Sequence, residues 1–252
     1  MEFNFDSEDN IKATKTPAIK VFNNEGKFWI SDENVHLCWW REDKKALIPH
    51  TLKTEQEDVT LSGYIISNPR MLILQRSLLL KFETRTWRIL RAWTAGESKE
   101  ENTYMCVRKY MVLFVDEDNN PLHEDPLQLT ARGCFQYEFD KQLCDFRAAM
   151  VKGYNEKATF MKNSWYRMCV FVPAFVSMIR GKGNKQKKAC ITTEYEKPTK
   201  ENWLSLCVGK PNDPANKFWA VDNDNLTYTQ YVYKLYSETK ESCKAKGWWK
   251  RE

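Results

Sequence analysis

Short runs of β-forming residues, separated by turn signals, fill residues 47–93 and restrict the fold more than any other feature. Each run is rich in Val, Ile, Leu, Thr or Trp, which are typical of strands. The dipeptide Asn68-Pro69 marks a turn after the first run. Four or five consecutive strands with short connections predict an antiparallel meander or a small barrel, of which an OB-like barrel is one form. The runs lie at residues 59–66, 71–76, 78–82 and 86–93.

Helical periodicity is confined to a few segments. Apolar residues recur at spacings of three and four at Phe135, Phe139, Leu143, Phe146 and Met150. This stripe predicts a mid-chain helix over residues 135–153, with Gly153 as its C-cap. A short helix over residues 35–40, capped at residues 31–34, and a C-terminal helix over residues 226–246 are also predicted. The fold class is therefore α+β, with a β-rich antiparallel sheet.

The second half of the chain begins with strand-like residues 165–179 and 190–195 around a basic segment, which predicts a hairpin with its tip at residues 180–188. Residues 1–28 are polar and mildly acidic, and we expect a loosely ordered acidic arm there. Residues 29–252 are expected to form a single composite α+β domain, with residue 155 as the place where a sub-division would fall. The length suffices for a sizeable core.

The chain shows none of the usual targeting signals. Its start is acidic, and its longest apolar run, residues 169–179, is interrupted by Pro173. A membrane span needs roughly 20 apolar residues, so we expect a cytoplasmic protein that makes no membrane contact. The closest of the eight cysteines, Cys134 and Cys144, are ten residues apart. Closely spaced ligand pairs for zinc are thus missing, and reduced thiols are expected.

Enzymatic motifs are not recognisable in the sequence, and no cofactor is expected. Residues 181–185 look like a phosphate loop but lack its Gly-Lys-Ser/Thr ending. The acidic stretch at residues 116–121 fits a hairpin turn better than a calcium loop. A metal-dependent nuclease stays open as a third hypothesis, and it requires four acids to converge in space: Asp116, Glu117, Asp118 and Glu124.

Positive charge is concentrated in three segments, although 39 Lys and Arg against 34 Asp and Glu give the chain a net charge of only +5. Residues 70–91 alone carry a net charge of +5. Residues 180–188 hold five basic residues and no acid. Residues 240–252 add +3 and contain two adjacent tryptophans. Basic side chains neutralise phosphates, and exposed aromatic rings stack on unpaired bases.

This pattern predicts a non-enzymatic module that binds single-stranded DNA or RNA. The strand would be tracked by a first set of arginines: Arg70, Arg76, Arg85, Arg88 and Arg91. A second set would clamp it: Arg180, Lys182, Lys185, Lys187 and Lys188. The stacking residues would be Trp87, Trp248 and Trp249. A plainer interpretation is that these arginines solvate a sheet and these lysines protect its edges. The alternative function is a protein-interaction or assembly component of a phage or mobile-element complex, which uses its aromatic surplus to bind other proteins or itself.

The order of several motifs in the first half resembles a known family. The most specific is the Pro-Leu-His-Glu-x-Pro-Leu-x-Leu-Thr segment at residues 121–130. The others lie at residues 3–6, 28–30, 39–40, 69–76 and 110–115. Over residues 1–133 the chain is similar to an uncharacterised family of soluble proteins associated with cyanobacterial genomes, plasmids and phages. The resemblance implies a soluble bacterial or phage protein on mobile DNA, and it implies no activity.

Overall fold

The computed structural model of the chain describes residues 16–53, 60–66, 68–86, 88–94, 103–157, 161 and 163–209. These residues form twelve strands and three α-helices. In chain order they are β1 (Ala18–Phe22), β2 (Lys27–Ser31), α1 (Asp32–Leu37), β3 (Leu47–Lys53), β4 (Thr60–Ile66), β5 (Met71–Arg76), β6 (Leu80–Glu83), β7 (Arg88–Ala92), β8 (Tyr104–Phe114), β9 (Leu127–Arg132), α2 (Gly133–Tyr154), α3 (Asn163–Arg167), β10 (Val170–Phe171), β11 (Pro173–Arg180) and β12 (Lys187–Tyr195). The predicted α+β class is confirmed.

Most strands belong to one open sheet, in the order β10-β5-β8-β9-β1-β2-β4-β3. The long strand β8 also pairs with β6, which in turn pairs with β7. The small-barrel expectation is wrong, because β10 and β3 lie at opposite edges of this path. Strand β10 has two residues, and β3 contains Pro49, whose missing N–H suits an edge. A separate two-stranded sheet is formed by β11 and β12.

Strand β1 makes the described part of the sheet mixed rather than purely antiparallel. It runs antiparallel to β2 but parallel to β9, where Ala18 pairs with Gln128 and Ile19 with Leu129. The expectation of a loosely ordered arm over residues 1–28 therefore fails from residue 18 onward. Ile19 and Phe28 are buried, and this burial holds β1 and β2 in the sheet. Residues 1–15 lie outside the described part.

Helix α2 covers one face of the sheet, as its apolar stripe predicts. Its five stripe residues are all buried, together with Leu127, Leu129 and Ala131 of β9. Gly133 starts the helix directly after β9 with φ +60, a conformation that favours glycine. Gly153 is not the C-cap, since the helix continues to Tyr154. A Cβ on Gly153 would lie 2.9 Å from the Thr199 carbonyl oxygen, so this glycine permits a close approach of two backbones.

Residues on both sides of position 155 share one core. Strand β10 pairs with β5, and Trp165, Phe171 and Leu206 pack with the residues under α2. The expected strand over residues 165–179 begins instead as α3, with β10 and β11 after it. The predicted hairpin with its tip near residues 180–188 is confirmed, and a 3₁₀ turn at Gly183–Lys185 forms the tip. The expected C-terminal helix over residues 226–246 lies outside the described residues. Within the part of the chain that the structure describes, no helix is long and apolar enough to cross a membrane.

Candidate nucleic-acid interface

A cleft of about 580 Å³ opens where β1, β8 and β9 meet the start of α2. We call it the basic cleft, because its charged lining residues are Lys20, Lys109 and Arg132. None of the described residues that line it is acidic. The remaining lining residues are Ala18, Ile19, Val21, Asn23, Phe82, Met105, Val107, Gln128, Thr130 and Phe135. A concave surface with cations over an apolar floor suits an anion that also carries apolar groups.

The cleft exists because β1 and β9 pair over a short distance and then separate. Their parallel register extends over only two residue pairs. After these, β9 leads into α2 at Gly133, whereas β1 leads into the turn before β2. Side chains alternate between the two faces of a strand. Gln128, Thr130 and Arg132 therefore lie on the face opposite the buried Leu129 and its neighbours, and they reach the cleft.

Asn23 connects the basic cleft to the β11–β12 hairpin. The Ser177 hydroxyl donates to the Asn23 carbonyl oxygen at 2.7 Å, and the Cys190 N–H donates to Asn23 Oδ1 at 3.1 Å. The adjacent turn residue Gly26 has φ +63, and a Cβ there would lie 2.5 Å from the Ser177 nitrogen. Ser177 pairs with Cys190 only three residues before Arg180 pairs with Lys187. The hairpin tip thus starts roughly 10 Å from the rim of the cleft.

The hairpin tip concentrates exposed positive charge. Arg180, Lys182, Lys187 and Lys188 are exposed, and Lys185 lies in the 3₁₀ turn. Arg180 and Lys187 are direct cross-strand partners. Like charges at such positions repel each other, and an anion held between them would relieve this repulsion. We call these five residues the basic hairpin.

The β6–β7 hairpin borders the cleft on another side through Phe82. Arg85 lies exposed in its turn. Arg91 is also exposed, and its guanidinium donates to the Ala92 carbonyl at 3.1 Å and to Thr94 Oγ1 at 3.0 Å. Arg88 is described only by its backbone, which pairs with Glu83. Trp87, Trp248 and Trp249, the predicted stacking residues, lie outside the described part of the chain.

Arg70 and Arg76 lie elsewhere and bind groups of the protein itself. Arg70 donates to the Asp116 carbonyl oxygen at 3.2 Å and to Asn119 Oδ1 at 2.8 Å, and it is 3.5 Å from a Glu196 carboxylate oxygen. These contacts fix the turn after β8. Arg76 forms an ion pair with Asp140 on α2. Both arginines thus join elements of the fold, and neither lines the basic cleft.

Asp140 is the centre of a polar cluster between α2 and the sheet. Its carboxylate accepts hydrogen bonds from the Tyr110 hydroxyl and from Gln136 Nε2, the latter at 2.6 Å. Arg108 Nε lies 3.0 Å from Asp140 Oδ2. This contact is an ion pair without a hydrogen bond, because the Nε–H does not point at the oxygen. Burial and then the Asp140 charge raise the pKa of Tyr110, so its hydroxyl remains protonated and donates.

Among the four acids of the nuclease hypothesis, Asp116 stabilises a turn. Asp116 Oδ1 accepts the N–H groups of Asp118 at 3.0 Å and Asn120 at 2.8 Å, as expected for the predicted hairpin turn. Burial raises the pKa of Asp116, but these hydrogen bonds outweigh it and lower the pKa overall. Across the residues with described positions, no group of three or more His, Cys, Asp or Glu could hold a metal ion.

Sequence analysis missed the three basic residues of the cleft. Lys20 falls within the predicted acidic arm, although its β-forming neighbours Ile19 and Val21 permit a strand. Arg132 is the one basic residue of β9 and Lys109 adjoins only Arg108, so neither belongs to a charge run. The strict alternation at residues 127–132 was a usable signal, because it places Gln128, Thr130 and Arg132 on one face.

Comparison with known proteins places the chain among uncharacterised proteins. A viral relative, the uncharacterized protein 254L of Invertebrate iridescent virus 6, is 37% identical over 289 residues, which cover 99% of this chain and 80% of the relative. No solved structure is significantly similar. Residues 14–240 match the family described as Domain of unknown function (DUF5895). The similarity thus extends well beyond the first half, and the chain belongs to the DUF5895 family.

Proposed function

We propose that the protein is a non-enzymatic module that binds single-stranded nucleic acid in the basic cleft. The observation that carries this proposal is the connection, through Asn23, of an acid-free basic cleft to the basic hairpin. Lys20, Lys109 and Arg132 contact phosphates within the cleft. The basic hairpin adds contacts to the same strand a short distance away.

The composition of the cleft favours an unpaired strand over a duplex. The half-buried side chains of Val21 and Met105 add an apolar floor to the lining of the cleft. In a single strand the base faces are available to such a floor, whereas in a duplex they are stacked inside. Phosphate contacts position the strand and carry no base specificity. The proposal therefore covers DNA and RNA without sequence preference.

The cellular setting belongs to the same proposal. We infer a cytoplasmic protein encoded on mobile or viral DNA, in keeping with the resemblance described above and with a relative from an iridescent virus. Cyanobacterial genomes, plasmids and phages stay predicted sources. The buried cysteines Cys38, Cys169, Cys190 and Cys207 are free thiols in the structure, which fits a reducing compartment.

The test is fluorescence anisotropy with a labelled oligo-dT of about 30 nucleotides, titrated at several salt concentrations. The hairpin variant Lys182→Glu/Lys187→Glu/Lys188→Glu should bind about tenfold more weakly, with a salt slope smaller by about 2. The cleft variant Lys20→Glu/Lys109→Glu should weaken binding similarly.

The matched control is Lys152→Glu/Lys157→Glu/Lys197→Glu. It changes the net charge of the protein by the same amount as the hairpin variant, but near the far end of α2. If control and hairpin variants lose equal affinity, binding follows net charge alone and the proposed site is wrong.

A second candidate function rests on exposed apolar side chains in the same hairpin. Val176, Met178 and Ile179 are 38%, 40% and 65% exposed. Apolar groups beside arginine are typical of protein interfaces, and they favour the protein-interaction alternative. Self-association that does not depend on salt, lost in the variant Met178→Ser/Ile179→Ser, would support this function. A monomer at all concentrations without nucleic-acid binding would argue against both candidates.

A further inference from the structure

Two buried cysteines face each other where the two ends of the β10–β12 segment meet. Cys169 precedes β10, and Cys207 follows the 3₁₀ turn at Trp203–Leu206. They are partners in an isolated antiparallel bridge, and both are buried. The Cys169 thiol donates to the Trp165 carbonyl at 3.3 Å, and burial followed by the neighbouring Cys207 thiol raises the pKa of Cys169.

The flanking hydrogen bond identifies the kind of pair. The Val208 N–H donates to the Met168 carbonyl at 2.9 Å. This backbone hydrogen bond joins the residue after Cys207 to the residue before Cys169, so the two cysteines form a non-hydrogen-bonded pair. Opposed residues of this non-hydrogen-bonded type have Cα atoms roughly 4.5 Å apart and closely adjacent side chains. A disulfide requires Cα atoms about 4.4–6.8 Å apart. The backbone thus presents the two sulfurs at a separation that a disulfide can span.

The other described cysteines lack this arrangement. Cys134 and Cys144 lie on α2, where ten residues separate them by about 15 Å along the helix axis. Cys38 is the C-cap of α1, and Cys106 on β8 pairs with Lys81 on β6. Cys190 pairs across the hairpin with Ser177. Among the described thiols, Cys169 and Cys207 are therefore the pair that geometry favours.

We propose that Cys169 and Cys207 form a dithiol site that small-molecule disulfides oxidise to an intramolecular disulfide. The thiolate of Cys207 attacks one sulfur of the small disulfide and releases one thiolate of that molecule. The Cys169 thiolate then attacks the Cys207 sulfur of the mixed disulfide and releases the second. Two protein thiols lose two protons and two electrons, and the small disulfide is reduced to two thiols.

The bond would act on the whole unit that carries the basic hairpin. It closes a loop from residue 169 to residue 207 that contains β10, β11 and β12. Closing a loop of this size restricts the unfolded chain, and the melting temperature should rise by roughly 5–10 °C. Because both thiols are buried, oxidation proceeds while this segment is open or while the chain folds. This inference is independent of the proposed function.

The test is to refold the full chain with reduced and oxidised glutathione and alkylate the remaining thiols in denaturant. Intact and peptide mass spectrometry then counts them. We expect two fewer alkyl groups than in fully reduced protein and one cross-link between the peptides of Cys169 and Cys207. The control Cys190→Ala removes another buried thiol and should keep the cross-link. Cys207→Ser should abolish it, with Cys169→Ala as the second variant should Cys207→Ser not fold. Full alkylation after refolding with oxidised glutathione, or a cross-link between other cysteines, would overturn the proposal.

Discussion

Asp140 on helix α2 lies 3.0 Å from the guanidinium of Arg76 on strand β5. The same carboxylate lies 3.0 Å from Arg108 Nε and accepts a hydrogen bond from Tyr110, both on β8. One side chain thus connects the helix to two neighbouring strands. Only 12% of the Asp140 side chain is exposed, so these partners, rather than water, surround its carboxylate.

We expect Asp140→Ala to destabilise the protein by about 3 kcal/mol, since it leaves two partly buried guanidinium groups without their carboxylate. Urea denaturation at neutral pH measures the effect. Asp145→Ala is the matched control: Asp145 lies on the same helix but is exposed, and its loss should stay within about 0.5 kcal/mol. Equal effects in both variants would show that the cluster adds little to stability.

Acid should destabilise the fold through His123. Its Nε2 accepts the Phe114 N–H at 2.9 Å, and its Nδ1–H donates to the Asp125 carbonyl at 2.8 Å, so the ring is neutral. Burial lowers its pKa from 6.5 to about 4, against a smaller opposing effect of the Asp125 hydrogen bond. Between these values the unfolded chain binds a proton that the folded protein does not. Stability from this group is complete above pH 6.5 and is lost as the pH falls toward 4.

Between pH 7 and pH 5 the His123 contribution should fall by about 2 kcal/mol. Urea denaturation at both pH values measures it. His123→Gln removes the titrating group, and its pH dependence should be weaker than that of the wild type by about this amount. His36→Gln, at an exposed residue of α1, is the control variant for the substitution itself. An unchanged dependence in His123→Gln would contradict the prediction.

Two glycines should respond differently to alanine. A Cβ at Gly63 would lie 2.4 Å from the Ile30 carbonyl oxygen and 2.7 Å from the Trp29 ring, so Gly63→Ala should cost about 3 kcal/mol by overpacking. Gly133 has open space around it but a φ of +60, so Gly133→Ala should cost only about 1 kcal/mol of backbone strain. Chemical denaturation compares the two. Gly133→Asn should recover part of the loss, because Asn tolerates this conformation.

Asn23 offers a way to test the proposed nucleic-acid binding without removing charge. Asn23→Ala removes Oδ1, which accepts the Cys190 N–H, and this loosens the attachment of the hairpin to the cleft. We expect the affinity for oligo-dT to fall by about threefold while the salt slope stays unchanged, since no phosphate contact is removed. Asn184→Ala, at the exposed hairpin tip, is the control. A reduced slope in Asn23→Ala would indicate that Asn23 acts in another way.

The elements that sequence reasoning found are those with local signals. Residues within a single short segment of the chain predict each of them: the α2 stripe, the turn at residues 116–121 and the hairpin tip. The contacts that form the cleft and the Asp140 cluster are not local. Pairing of Ala18 with Gln128 and of Arg76 with Asp140 joins residues far apart in the chain, and no spacing rule reveals them. The sequence pattern therefore places Arg76 among the strand-tracking arginines and Lys20 in a loosely ordered acidic arm.

The position of β1 also bears on synthesis of the chain. This strand leaves the ribosome first among those described, yet its parallel partner β9 is made more than a hundred residues later. In the folded chain β1 joins β2, β4 and β3 on one side and β9 on the other, so until β9 is made one edge of β1 has no partner strand. Contacts of such long range slow folding and expose strand edges to other chains. We therefore expect ribosome-bound chains that end before β9 to need a chaperone, whereas chains extended past α2 should not.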